Sequence, residues 1–270
     1  MTRLRLALVA LAVLVLGFAG FVWRAGPAPT DEQIVLPAKS PYTRGRFFAF
    51  AQPWGGEEVA WTRPWAPRAD AMAIHIADFP NKTAVNWRWP PYMASNGPGV
   101  WGYDQVGYGN YDGGEPEVHV PPKRVRDLTV LHQTFAWRLS HPLGDGNVLT
   151  EFYLRRNPKD VNSKTLEIGL VLHTPTTTRR WIDSSKAVGI WVDGQKRRWK
   201  VVLAGGFCMF MPEDGRDVPS GSLDMLPALR WLQAKRLVRG DEWFTGLAIG
   251  VEPTRGVGRF YLDRWRPAFN

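Results

Sequence analysis

The chain is nearly without cysteine: Cys208 is the single one in 270 residues. An internal disulfide framework, a cysteine zinc site and a CxxC redox motif are thereby excluded, and Cys208 reads as a small buried hydrophobe. The sequence also lacks a basic block of five residues; its densest groups are Arg179-Arg180 and Lys196-Arg197-Arg198. The net charge of +9 is spread along the chain, and no nucleic-acid partner is expected. No long helical pattern is evident after residue 24, while 27 glycines and 22 prolines punctuate many short segments, which argues against a helical bundle. The five histidines show no HxxxH spacing, and neither a Gly-x-Ser-x-Gly elbow nor a phosphate loop is present. No metal and no cofactor are expected.

What the chain does have begins at its first residues. Arg3 and Arg5 precede an uncharged run from Leu6 to Trp23, close to the ~20 residues that span a bilayer. With no small-x-small cleavage site and no lipoprotein cysteine, residues 1–24 read as an uncleaved membrane anchor and not as a removed signal. Positive charge ahead of the span places the rest of the chain on the extracytoplasmic side. Residues 25–42, with Pro27, Pro29, Pro37 and Pro41, read as a stiff spacer, leaving residues 43–270 as one domain. A monomer is expected.

In that domain apolar residues recur at a period of two, as from Val148 to Leu154, Leu166 to Leu172 and Leu247 to Val251, between turn signals such as Gly144-Asp145-Gly146-Asn147 and Asp193-Gly194. This predicts an all-β, antiparallel, two-sheet sandwich. One segment, Leu223 to Lys235, carries the spacing of a helix, with Ser222 and Asp224 as cap candidates and Pro227 in the first turn.

Strand parity singles out three acids. Leu166, Ile168, Leu170 and Leu172 must face the core, so Glu167 points the other way with Gly169, Val171 and His173. Leu247, Ile249 and Val251 likewise leave Gly246, Ala248, Gly250 and Glu252 on the opposite face, and Phe152 and Leu154 leave Glu151 there. A glutamate on the outer face of a strand is ordinarily just solvated. Here the neighbours are Gly and Ala instead of Lys, Thr or Arg, which suggests a floor that a ligand approaches. Carboxylates brought together raise one another's pKa, so one can hold a proton while another stays ionised, the requirement for cleaving a glycosidic bond. Fourteen tryptophans favour a sugar ligand, since indole rings stack on the C–H faces of sugars. Trp87 and Trp89 on one strand face, then Trp101 and Tyr103, are the candidate groove-lining residues, and His173 shares the face of Glu167.

These residues, in this order, resemble glycoside hydrolase family 12, the small endoglucanases and xyloglucanases. The resemblance runs from about Trp87 to the C-terminus through Trp87-Arg88-Trp89, Gly102 to Gly109, Asn147-Val148-Leu149-Thr150-Glu151-Phe152, Leu166-Glu167-Ile168-Gly169 and Ala248-Ile249-Gly250-Val251-Glu252-Pro253. It implies a concanavalin-like jelly roll with one short helix, and a retaining hydrolase of a β-linked polysaccharide cut internally. Glu167 then matches the nucleophile, Glu252 the acid/base, and Glu151 a partner of the nucleophile. Such chemistry places the two main carboxyls about 5–5.5 Å apart. Gly169 and Val171 stand where the family has Met and Trp, so a cellulose specificity does not carry over and the substrate is expected to be glucan-like only in its β-linked backbone. A tethered glycan-binding domain without catalysis, or a polysaccharide lyase on the same architecture, remain open at this point.

Overall fold

The computed structural model describes residues 3–24, 32–54, 70–112, 120–141 and 143–270. Helix α1 (Arg3–Arg24) is followed, after the undescribed residues 25–31, by two facing sheets. The smaller one has six strands among the described residues, in the order β1 (Gln33–Pro37), β4 (Asp70–His75), β5 (Thr83–Arg88), β17 (Val257–Phe269), β8 (Leu131–Ser140) and β14 (Ser220–Asp224). The larger runs β11 (Lys186–Val192), β12 (Arg198–Ala204), β13 (Phe207–Pro212), β10 (Lys164–His173), β9 (Asp145–Arg155), β16 (Gly246–Arg255), β6 (Gly102–Gly109), β3 (Phe47–Pro53) and β2 (Tyr42–Arg44). Two short strands, β7 (Lys123–Arg124) and β15 (Trp243–Phe244), attach beside β9. The two-sheet all-β expectation holds, with one departure: β10 and β13 pair in parallel.

The core lies between the sheets and is built as parity requires. Leu166, Ile168, Leu170 and Leu172 of β10, Phe152 and Leu154 of β9 and Leu247, Ile249 and Val251 of β16 all join one buried cluster with Phe135, Trp137 and Trp265 from the smaller sheet.

Three expectations need correction. Residues 33–42 are not all spacer: β1 pairs with β4 along its whole length, and β2 begins at Tyr42. The helix at the C-terminal side, α3 (Leu226–Ala234), is shorter than the expected segment because Ser220–Asp224 joins the smaller sheet; Asp224 still accepts from the Leu226 N–H. Nor is it alone in the domain, since α2 (Thr176–Ser184) follows β10. Residues Thr176-Thr177-Thr178 carry no apolar periodicity, which hid it. As for the N-terminal segment, α1 forms, and its leucines from Leu4 to Leu16 stand 56–71% exposed. Among the described residues, however, no helix is long and apolar enough to cross a membrane, so a transmembrane α1 is not part of the fold the structure supports.

Two acids in the core were not foreseen. Asp70 and Asp104 are fully buried; Asp70 accepts from the Trp89 indole N–H at 2.9 Å and Asp104 from the Gln52 backbone N–H at 3.1 Å. Burial pushes Asp70 up to about 8, and burial together with the charge of Asp70 raises Asp104 well above the carboxylate range. A carboxyl held above its unfolded value of 3.8 keeps a proton in the folded state that the unfolded chain has lost, so its stabilising contribution is full below about pH 4 and disappears as pH rises through about 8. Asp70→Asn is expected to flatten the decline of stability between pH 5 and 8, read as denaturation midpoints across that range; an unchanged slope would show that Asp70 is ionised in the fold.

Candidate active site

The outer face of the larger sheet collects the acids. Odd-numbered residues of β9 place Asn147, Leu149, Glu151 and Tyr153 there, β10 adds Glu167, Gly169 and Val171, and β16 adds Ala248, Gly250 and Glu252. Gly169 and Ala248 both lie directly opposite Glu151 on its two neighbouring strands. Tyr103 and Gln105 of β6 continue the face, Gln105 being paired with Gly250.

Glu151 sits at the centre and is 4% exposed. Its Oε1 accepts a short hydrogen bond from the Tyr111 hydroxyl. Burial raises its pKa well above the carboxylate range, the charges of Glu167 and Glu252 raise it further, and the Tyr111 bond offsets only part. The balance of these influences favours the protonated form of Glu151. Glu167 is partly exposed; burial pushes it up to about 7, against the lowering influence of the Tyr153 hydroxyl, the Lys164 ammonium and the Glu151 carboxyl. Glu252 accepts from Asn147 Nδ2 at 3.0 Å, while burial and the charge of Glu167 push it up to about 7.

The two outer acids are not level with each other. Glu167 is opposite Tyr153, whereas Glu252 is opposite Asn147, 153 − 147 = 6 positions away along β9. A flat sheet would hold them far apart, yet Glu151 feels the charges of both and Glu252 that of Glu167, as a twisted sheet allows.

The floor is less open than its glycines suggested. A Cβ on Gly169 would meet the Phe207 ring at 2.7 Å, so that side chain already occupies the space. A Cβ on Gly250 would meet the Asp104 carbonyl oxygen at 2.1 Å, so this glycine serves a close approach of β6 to β16. Farther along, α2 lays Ile182 and Trp181 on Val171, Val202, Met209 and Met211 and closes that part of the face. What stays open is a cavity of about 350 Å³ beside Glu167, lined by Tyr153, Lys164, Thr165, Leu166, Ala204, Gly206 and Phe207.

The aromatic residues are corrected as a group. Trp87, Trp89 and Trp101 are 0–2% exposed and belong to the core between the sheets. Trp89 stacks on Trp101 at 5.1 Å, and the indole N–H groups of Trp87, Trp89 and Trp101 bond to Arg255 O, Asp70 and Tyr92 O. These three serve packing, each with its indole N–H bonded inside the protein. Tyr103 does lie among the acids, although buried beneath them with its ring against Tyr111. His173 does not join them: a register shift after Val171 turns it to Asp217, at 2.8 Å, near the rings of Trp137 and His141.

Several members escaped the sequence reading. Asn147 and Tyr153 share the parity of Glu151 and were legible by the same argument. Tyr111 follows β6 and Lys164 opens β10, and neither carries a local signal; Lys164 pairs with Asp112 and lies 3.8 Å above the Tyr153 ring. Gln105, fully buried, has neither amide atom hydrogen-bonded among the described residues.

No family model matches the sequence, and no curated protein matches it either. Solved structures do match. Endoglucanase 3 of Trichoderma harzianum, from glycoside hydrolase family 12, covers 90% of this chain and 100% of its own at TM-score 0.65 and 14% identity. The native family 12 xyloglucanase of Bacillus licheniformis covers 88% and 100% at TM-score 0.68 and 17% identity. A metagenome-derived family 12 endoglucanase covers 89% and 100% at TM-score 0.67 and 15% identity. At such identities the likeness establishes architecture: the chain has the fold of the family 12 glycoside hydrolases.

Proposed function

We propose that the protein is a retaining, endo-acting glycoside hydrolase of a β-linked polysaccharide. The observation that carries this reading is the row of three mutually perturbed carboxyls on the outer face of the larger sheet, with two of them poised near neutral pH. The similar structures are of endoglucanases and xyloglucanases, which favours a glucan-like backbone.

In this reading ionised Glu167 attacks the anomeric carbon, forming a C1–Oε bond as the C1–O bond to the leaving sugar breaks. Glu252 gives its proton to that departing oxygen. Water then enters, loses a proton to Glu252 and attacks C1, releasing Glu167. Glu151 acts on Glu167 and not on the sugar: by donating a hydrogen bond it holds the nucleophile ionised and oriented. The offset of Glu252 along β9 favours a second reading, inversion, in which a water stands between acid and base.

The test is hydrolysis of soluble β-glucans, xyloglucan, arabinans and acidic bacterial polysaccharides, with the first product followed by NMR. Initial β-anomer establishes retention and initial α-anomer inversion; an unsaturated product identifies a lyase, and binding without cleavage a non-catalytic domain. The uncovered leucines of α1 and the preceding Arg3 and Arg5 support a further part of the proposal, that this segment tethers the domain to the extracytoplasmic side of a membrane. Release of the full chain from membranes by alkaline carbonate would refute it.

A further inference from the structure

Next to the cavity at Glu167 lies a larger one of about 680 Å³ whose lining is mostly cationic. Arg124, Arg156, Lys164, Arg236 and Arg239 face it, against Asp241 and Glu242. Lys164 and Thr165 line both cavities, so the two adjoin, and Lys164 stands three residues before Glu167, about 10 Å along the strand.

The cations come from three separate stretches, which is costly to arrange by chance. Arg124 belongs to β7, Arg156 and Lys164 flank the turn between β9 and β10, and Arg236 and Arg239 follow α3. The two acids do little to neutralise them. Glu242 is buried and accepts the Arg239 backbone N–H at 2.7 Å, and Asp241 contributes its carbonyl oxygen to Arg124 at 2.6 Å. Arg156, Arg236 and Arg239 are exposed and form no ion pair among the described residues. Arg236 is also held at φ 61°, directly after the last turn of α3, where glycine is the favoured residue.

We propose that this hollow receives an anionic substituent on a sugar unit neighbouring the one cleaved, so that the substrate of the Glu167 site is an acidic polysaccharide. The inference rests on the hydrolase reading for the site and adds its substrate class. Guanidinium forks bind carboxylate and phosphate in the same bidentate way, so a uronic acid and a phosphorylated sugar share the required chemistry.

The experiment compares the full chain with the Arg156→Ala/Arg236→Ala/Arg239→Ala variant on one soluble β-glucan in three forms: neutral, oxidised to the carboxylate at C6, and phosphorylated. Cleavage rates and calorimetric affinity for oligosaccharides of each form are measured at low and raised salt. The wild-type chain is expected to bind an anionic form at least about tenfold more tightly than the neutral one, with the preference shrinking as salt rises and falling to about one in the variant. The stronger of the two anionic arms identifies the substituent. Equal affinity for all three forms, or a preference the variant retains, overturns the inference while leaving hydrolysis intact. Anionic preference lost in the variant but no cleavage of any form upholds the hollow and refutes the hydrolase.

Discussion

Glutamine in place of Glu167 is expected to lower turnover by about 10⁴-fold or more while the protein stays folded. The side chain points away from the core that holds the sheets together, so the fold loses nothing it depends on. What disappears is the partly exposed carboxyl beside the open cavity, and with it the covalent step of the proposed reaction. Smaller replacements sharpen the result. With Glu167→Ala, an added azide ion can occupy the vacated side of the sugar and yield the glycosyl azide of inverted configuration, a product that a merely structural glutamate would never give. Activity of Glu167→Gln close to wild type, with unaltered unfolding, would remove Glu167 from the reaction.

Glu252→Gln is expected to cost about 10²–10⁴-fold on a polysaccharide, the range of a lost general acid. On an aryl glycoside whose leaving group departs without a proton, the loss in the bond-breaking step should nearly vanish. The pH profile carries the same assignment. In the proposed reaction Glu167 works ionised and Glu252 protonated, and both are pushed up to about 7, so the wild-type rate should form a narrow bell centred near neutrality. Protonation of Glu167 gives the acid limb, and deprotonation of Glu252 the alkaline limb. In Glu252→Gln the alkaline limb alone should disappear. A variant that keeps both limbs would assign the proton donor elsewhere.

Alternation of side chains across a strand was enough to place Glu151, Glu167 and Glu252 on one face, because the apolar partners Ile168, Phe152 and Ile249 have only one way to be buried. The same alternation reached Asn147 and Tyr153. It failed for His173, where a shift in register after Val171 breaks the period. Composition misled for the tryptophans: an indole that stacks on sugar stacks equally well on another indole, as Trp89 does on Trp101. It misled again for Gly169, whose vacancy is filled by Phe207 from a strand that no local pattern places beside it. Lys164, Tyr111 and the arginines after α3 reach the site through long-range pairing, which a one-dimensional reading does not contain.

The position of β17 has a consequence for how the chain is made. The last thirteen residues to be ordered, Val257–Phe269, pair with β5 on one side and β8 on the other. Until they emerge from the ribosome, the smaller sheet is two fragments with open edges, and the aromatic interior between the layers has no lid. Removing β17 would therefore leave the smaller sheet without a middle, whatever the soundness of the rest of the fold.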